Sequence, residues 1–272
     1  MSLDTLGARH QRVQRLRRLL HRSGVRETEH AFVAEGLKLV AGALGSSAGV
    51  EAVFVGAEGG DDPSVLELAE RAQLAGARVF VLAQGVMERV ADTATPQPIC
   101  AVVAALDVPL GNLIEAGGND TGRPLVVCAG VRDPGNLGAL IRTAGAAGAA
   151  GVVSCSGSVD LYNPKVVRAS AGAIFEVPLA RGGDAAEVVC SLSRAGYRVL
   201  AAAARGGIDY TEAPWGARSA LLLGNEAHGL PDTLVEAATV VTIPMEVPTE
   251  SLNVAMAATV MLFEAARRRR LP

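Results

Sequence analysis

The sequence predicts an α/β protein whose carboxyl-terminal half is a doubly wound, mostly parallel sheet. Three observations carry this. Short β-like runs alternate with helix-length stretches through most of the 272 residues. Runs such as Leu125-Val126-Val127 and Leu221-Leu222-Leu223 are apolar on both faces, as strands covered by helices on each side must be. The alternation lapses over 107–124, where Gly117, Gly118, Asn119, Asp120 and Gly122 crowd together. The expected organisation is a small α/β domain over 1–106, a linker over 107–123 and a second domain over 124–272.

In chain order, an arginine-rich helix over 9–22 carries Val13, Leu16, Leu19 and Leu20 on one apolar stripe. The run Ala31-Phe32-Val33-Ala34 reads as a strand. Helix 35–44, strand 50–55, helix 63–75, strand 78–82, short helix 85–90 and strand 99–106 complete the first domain. Beyond the linker come strand 125–129, helix 137–147, strand 151–155, helix 164–172, strand 175–179 and helix 184–194. Strands 198–203, 220–223 and 240–243 follow, and a long helix over 251–270 closes the chain.

Half of the residues are apolar, ample for a core in each domain. Only 3% are aromatic. The cores must therefore be built from Ala, Val and Leu, and broad stacking surfaces for single-stranded nucleic acid are excluded. Any RNA would be held by charge and shape.

The net charge is −3, yet the first 26 residues hold seven arginines, Arg9, Arg12, Arg15, Arg17, Arg18, Arg22 and Arg26, against Asp4. A second basic block runs from Arg267 to Arg270. Phosphates respond to such local potential rather than to net charge. The plainer reading of the first block is a solvated amphipathic helix, and the two are compatible.

Cys100, Cys128, Cys155 and Cys190 are far apart and read as small buried hydrophobes, with no metal or disulfide framework. The basic amino terminus lacks an apolar stretch of signal-peptide length, and no apolar run reaches membrane-span length. The expected location is the cytoplasm.

Three segments carry chemistry. They are Asn136-Leu137-Gly138-Ala139-Leu140-Ile141-Arg142, then Leu223-Gly224-Asn225-Glu226-Ala227-His228-Gly229-Leu230, then Ile243-Pro244-Met245 with Ser251-Leu252-Asn253-Val254. Each joins the carboxyl end of a β-like run to a turn or helix start, so all three can converge on one sheet edge. Gly135 and Gly138 do not make the GxGxxG pattern, which demotes a nicotinamide-dependent oxidoreductase. Singly, each segment also reads as ordinary turn chemistry: Gly224-Asn225-Glu226 as a strand-ending turn with a helix cap, Ser251 as the N-cap of the last helix.

Together, in this order, they resemble the motifs of the SpoU (TrmH-like) family of RNA ribose 2'-O-methyltransferases, within the SPOUT superfamily. The likeness covers most of 124–270. A weaker one covers 9–106, where the arginine-rich helix and Phe32-Val33-Ala34-Glu35-Gly36 resemble the L30e-like, ribosomal-protein-type substrate-binding domain of rRNA-directed members.

The resemblance implies a SPOUT-type sheet with a trefoil knot, although unknotted connections are the strong default. It implies S-adenosylmethionine as cofactor, held at Leu223, Gly224, Ile243, Met245 and Leu252, and no metal. It implies an RNA partner, 23S rRNA ahead of tRNA, and a homodimer formed through the carboxyl-terminal domain. The catalytic set it implies is Arg142, Asn136, Glu226, Ser251 and Asn253.

Arg142 would handle the ribose hydroxyl. Because an arginine must give up about 7 kcal/mol to act as a neutral base at pH 7, the favoured role is to orient the 2'-hydroxyl and stabilise its developing alkoxide. Asn136 and Asn253 suit bonds to ribose or phosphate, and Glu226 and Ser251 would fix the arginine or the loops. His228 is read as a loop-ordering residue rather than a base. The competing readings are a tRNA ribose methyltransferase and a non-catalytic RNA-binding ribosome-assembly protein, the latter disfavoured because it would need none of these residues together.

Overall fold

A computed structural model describes residues 4–91, 95–118, 122–246 and 251–271. The chain divides into two units: 1–106 with 162–175, and 107–161 with 176–272. Asn119 and Asp120 of the expected linker lie outside the described residues, as does 247–250 within the third motif.

The first unit opens with β1 (Thr5–Leu6) and α1 (Gln11–His21), whose stripe Val13, Leu16, Leu19 and Leu20 is buried as expected. Next come α2 (Ser23–Glu29), β2 (Ala31–Glu35), α3 (Leu37–Gly45), β3 (Val50–Gly56), α4 (Pro63–Leu74), β4 (Arg78–Leu82), α5 (Val86–Val90) and β5 (Ile99–Ala104). The sheet order is β1-β4-β3-β5-β2. Its β2–β5 and β3–β5 pairs are antiparallel, so this sheet is mixed.

The second unit begins with α6 (Leu110–Gly117), inside the stretch read as linker. Leu113, Ile114 and Gly117 are buried there, and the Tyr197 hydroxyl donates to the Ile114 carbonyl at 2.8 Å. A Cβ on Gly117 would lie 2.8 Å from that hydroxyl. The glycine that suggested a linker therefore serves close packing.

The elements that follow are β6 (Leu125–Cys128), α7 (Pro134–Ala147), β7 (Gly151–Cys155), α8 (Pro164–Ala169), β8 (Leu179–Gly183), α9 (Ala185–Arg194), β9 (Arg198–Ala202), β10 (Ile208–Asp209), β11 (Ser219–Leu223), α10 (Asp232–Glu236), β12 (Thr239–Thr242) and α11 (Val254–Arg269). Among these α8 clusters with the first unit, where the Tyr162 ring stacks on Phe32 at 4.6 Å and Arg168 pairs with Glu35 at 3.5 Å.

The expected strand 175–179 is displaced. Phe175 ends a 3-10 turn and stacks toward Phe32, and the strand is Leu179–Gly183 instead. Its glycines hid it: a Cβ on Gly182 would lie 2.7 Å from Val153 Cγ1, so close packing against β7 excludes a side chain there.

All pairings of the second sheet are parallel, in the order β10-β12-β9-β11-β6-β7-β8. From β6 the chain moves outward through β7 and β8, then reappears on the far side of β11. The switch point thus lies between β6 and β11, and crevices at such points open at the carboxyl ends of the strands. Cys100, Cys128 and Cys155 are buried, burial pushing the Cys155 thiol up to about 12, while Cys190 is exposed on α9, contrary to expectation. No helix among the described residues is long and apolar enough to cross a membrane.

Candidate active site

The first motif starts α7 earlier than periodicity suggested. The Asp133 carboxylate accepts from the Asn136 backbone N–H at 2.8 Å, and Pro134 occupies the first turn, where a missing N–H costs nothing. Asn136 is thereby held beside the strand ends. Gly224 follows β11 with no room to spare, since a Cβ there would run into the carbonyl carbon of Gly229. The glycine is required by the loop's own folding back, in which Asn225 and Gly229 exchange backbone hydrogen bonds at 3.0 and 2.9 Å.

Side chains then tie the three motifs together. Glu226 accepts from the backbone N–H of Arg132 at 3.2 Å and of Asp133 at 3.0 Å, and from Asn136 Nδ2 at 3.0 Å. Asn136 Oδ1 accepts from Asn253 Nδ2 at 2.8 Å. Asn253 Oδ1 in turn caps α11, accepting from the Ala255 and Met256 N–H groups at 2.9 and 3.2 Å. Burial would raise the Glu226 pKa, but the Asn136 bond and the backbone N–H groups outweigh it and hold the carboxylate below its ordinary value. Glu226 is an anion anchored just before α7, where the helix N-terminus favours negative charge.

Helix α11 packs along α7, joined at mid-length by Thr143 and Thr259 at 3.1 Å. Its basic block is spent internally. Arg267 and Arg268 hold Glu264 at 2.7 and 2.9 Å, and Arg269 donates to the Ala147 and Gly148 carbonyls at the end of α7. The Arg267 hydrogen bond is the main reason the Glu264 pKa falls to about 2, against the opposing effect of burial. The phosphate-binding reading of this block gives way to ion pairing within α11 for Arg267 and Arg268 and to capping of α7 for Arg269.

The three motifs and the Ala202–Ala204 segment enclose a cavity of about 720 Å³ at the carboxyl ends of β9, β11 and β12. Leu223, Gly224, Ile243, Met245 and Leu252 all line it, as do Asn136, Glu226, Ser251 and Asn253. No Lys or Arg is among the described lining residues, which disfavours a phosphate-rich nucleotide.

A model described as the SpoU rRNA Methylase family matches residues 123–263, and one described as the MRM3-like substrate binding domain matches 10–101. The first spans more than half of the chain. The chain belongs to the SpoU rRNA methylase family. It is 33% identical over 257 residues to the 23S rRNA (guanosine(2553)-2'-O)-methyltransferase RlmP of Bacillus subtilis (strain 168), covering 94% of this chain and 96% of that one. An AdoMet-bound rRNA methyltransferase from Sinorhizobium meliloti superposes with a TM-score of 0.85 at 31% identity, covering 99% of both chains. The SpoU methyltransferase AviRb from Streptomyces viridochromogenes, in complex with AdoMet, gives 0.82 at 27%, covering 96% of this chain and 98% of that one.

As a SpoU methylase, the chain is an S-adenosylmethionine-dependent RNA methyltransferase, and its cavity fits that cofactor. The volume lies in the usual ligand range. Leu223, Ile243, Leu252 and Met261 offer apolar walls for an adenine, and a lining without cations beside the Glu226 carboxylate accepts a sulfonium.

One predicted residue stands elsewhere, and another lines the cavity without its expected capping role. Arg142 is exposed on α7 and is not among the described lining residues. It lies six residues beyond Asn136, about 9 Å along the axis and about 240° around it. Ser251 lines the cavity but does not cap α11, because Asn253 takes that place. His228 is exposed at the cavity, and its backbone N–H donates to Asn225 Oδ1 at 3.1 Å. Asn225, placed in the second motif by sequence but given no role of its own, proves to be a loop anchor: its Nδ2 donates to the Gly130 carbonyl at 2.9 Å.

Proposed function

We propose that this enzyme methylates a ribose 2'-hydroxyl of 23S rRNA in the cytoplasm, working as a homodimer. The single observation that carries the reading is the Glu226–Asn136–Asn253 chain of hydrogen bonds, which unites all three motifs around one cavity. The B. subtilis relative, matched over nearly its whole length, is named for a 23S rRNA guanosine 2'-O position, which favours ribosomal RNA over tRNA.

S-adenosylmethionine, when bound, supplies a methyl group made electrophilic by its sulfonium. The residues of the chain then have to align a hydroxyl with it and manage one negative charge. Leu223, Gly224, Ile243, Met245 and Leu252 hold the adenosine part. Asn136 and Asn253 each spend one amide N–H on the loop network and keep a second for ribose or phosphate. Ser251, at the cavity wall, orients the ribose. Arg142 stabilises the alkoxide as the hydroxyl proton leaves to water.

Because Arg142 lies outside its own cavity, the proposal places it in the cavity of a second copy. An exposed apolar stripe on α11, the helix packed against α7, supports this. Met256, Val260 and Phe263 expose 64%, 37% and 45% of their surface at i, i+4 and i+7 on α11, an apolar stripe that a second copy would cover. The trefoil knot is part of the same proposal, and Ala202–Ala204, Ile243 and Leu252 sharing one cavity is consistent with it.

The deciding experiment incubates the protein with labelled cofactor and a 23S rRNA transcript, with bulk tRNA in parallel, and maps the product by primer extension at limiting deoxynucleotide. One 2'-O-methylated nucleotide in the rRNA is expected. Base methylation, or label in tRNA alone, would overturn the reading.

A further inference from the structure

We infer that the outer ridge of α1 is an RNA-docking surface that tracks phosphates, through Arg17, Arg18 and Arg22. The inference rests on the proposed RNA substrate and adds where, and by what chemistry, the first unit grips it.

The seven amino-terminal arginines divide into two groups. Three of them fix the helix. Arg15 bridges Glu29 and Glu51 at 2.5 and 2.7 Å. Arg26, buried, donates to the Leu19 and Leu20 carbonyls at 2.6 and 3.3 Å and so closes the end of α1. Arg12 lies over the Phe80 ring, 4.8 Å from its centroid. The other four, Arg9, Arg17, Arg18 and Arg22, are exposed, and their side chains make no hydrogen bond or ion pair among the described residues.

Folding therefore accounts for the first group and leaves the second unexplained. Arg18 and Arg22 are one turn apart on the same ridge as Gln11 and Arg15, so the ridge is about 16 Å long, and the exposed Arg17 flanks it about 100° round the helix from Arg18. Beside it His10, Gln11, Arg12, Arg15 and Arg18 line an open groove of about 490 Å³. Residues 1–26 carry a formal charge of +6 in a chain of net −3, which leaves −9 on the remainder. A polyanion would thus be drawn to this ridge and repelled elsewhere.

The surroundings select RNA among polyanionic partners. A membrane needs an apolar face to insert, and that of α1 is consumed: Val13, Leu16 and Leu19 are fully buried and Leu20 is 5% exposed. A protein partner needs aromatic or aliphatic anchors at the centre of its patch, and the ridge has none. Without aromatic side chains bases cannot stack, so contact is to the backbone. The exposed cations are arginines, whose planar fork matches phosphate oxygens two at a time. Such contacts position the RNA without reading its sequence.

The test measures binding of the full-length protein to an unmodified 23S rRNA transcript across a salt series. Arg17→Gln/Arg18→Gln/Arg22→Gln is compared with a charge-matched control, Arg71→Gln/Arg89→Gln/Arg194→Gln, whose arginines are exposed on α4, α5 and α9. Each lost phosphate contact flattens the slope of log affinity against log salt by about one, so the ridge variant should lose about two to three and the control none. Unchanged melting and unchanged calorimetric cofactor binding establish that the ridge variant is folded, and the three single variants should show single steps.

A wild-type slope in the ridge variant, or equal flattening in the control, would overturn the inference. So would arginine-dependent capture on phosphatidylserine vesicles with the RNA slope unmoved. If the wild-type protein binds the transcript with the arginine-dependent slope yet transfers no methyl group, the proposed reaction fails and this surface stands.

Discussion

The cavity wall and the outer face of α7 and α11 draw on the same two helices, yet they differ in how completely their groups are satisfied. On the cavity side each polar side chain that joins the motifs has a partner: Glu226 with Asn136, Asn136 with Asn253, Asn253 with the first turn of α11. On the outer side the Arg142 side chain makes no hydrogen bond or ion pair among the described residues, and Met256, Val260 and Phe263 are exposed. Preorganised groups lower the cost of binding a ligand. Groups left open are waiting for something to cover them. On the proposed function, one chain holds a finished cofactor pocket and a catalytic surface completed by a second copy, and the two should fail independently when mutated.

The sharpest way to break that contrast is Arg142→Ala. If Arg142 acts only on the hydroxyl, methyl transfer to the 23S transcript should fall by at least about 10³-fold, in the range of removing a group that stabilises developing oxyanion charge. Calorimetric binding of S-adenosylmethionine should stay within about twofold of wild type. A large loss of cofactor affinity would show that Arg142 supports the pocket after all.

A smaller effect is expected from Phe263→Asp. A carboxylate at the end of the α11 stripe would prevent a second copy from covering it, since a buried unpaired charge is costly. Sedimentation should give a monomer at micromolar concentration, with methyl transfer falling about 10²-fold and cofactor affinity much less affected. A variant that remains dimeric with wild-type turnover would move the interface elsewhere.

The same contrast explains what could be read from the residues alone. Strands β3, β4, β6, β7 and β11 were legible because full burial in a sheet demands continuous apolar runs, and Val53, Val127 and Leu222 supply them. Strand β8 and helix α6 were not, because Gly182 and Gly117 are small for the sake of a neighbour, and such a need is invisible before the neighbour is placed. The start of α11 was misread for a similar reason: both Ser251 and Asn253 are good caps, and the pairing of Asn253 with Asn136 across 117 residues decides between them. Arginine density was the least informative signal. The blocks at the two ends look alike in sequence, but Glu264 stands three and four residues before Arg267 and Arg268 and takes both. No acid follows the first-block arginines at that spacing until Glu27 and Glu29. Motif order made the cavity residues legible, whereas the position of Arg142 outside the cavity depends on how α7 is turned.

The mildest perturbation tests whether Glu226 works as an anion or merely fills space. In Glu226→Gln the side chain keeps its shape, but one oxygen becomes an NH₂ group facing the N–H donors of Arg132 and Asp133, so at least one charge-assisted bond is lost. The start of α7 should loosen and cofactor affinity fall about tenfold, near 1.4 kcal/mol. The pH dependence supplies the discriminating readout. Because the folded-state pKa of Glu226 lies below its ordinary value of 4.5, its contribution is fully present above that pH and fades as the pH falls through the lower, folded value. The melting-temperature gap between wild type and Glu226→Gln should therefore be widest near neutrality and shrink on acidification below pH 4.5. A gap that holds constant from pH 7 to about pH 3 would mean the carboxylate is not held as an anion, and the pocket would then owe its order to the asparagines alone.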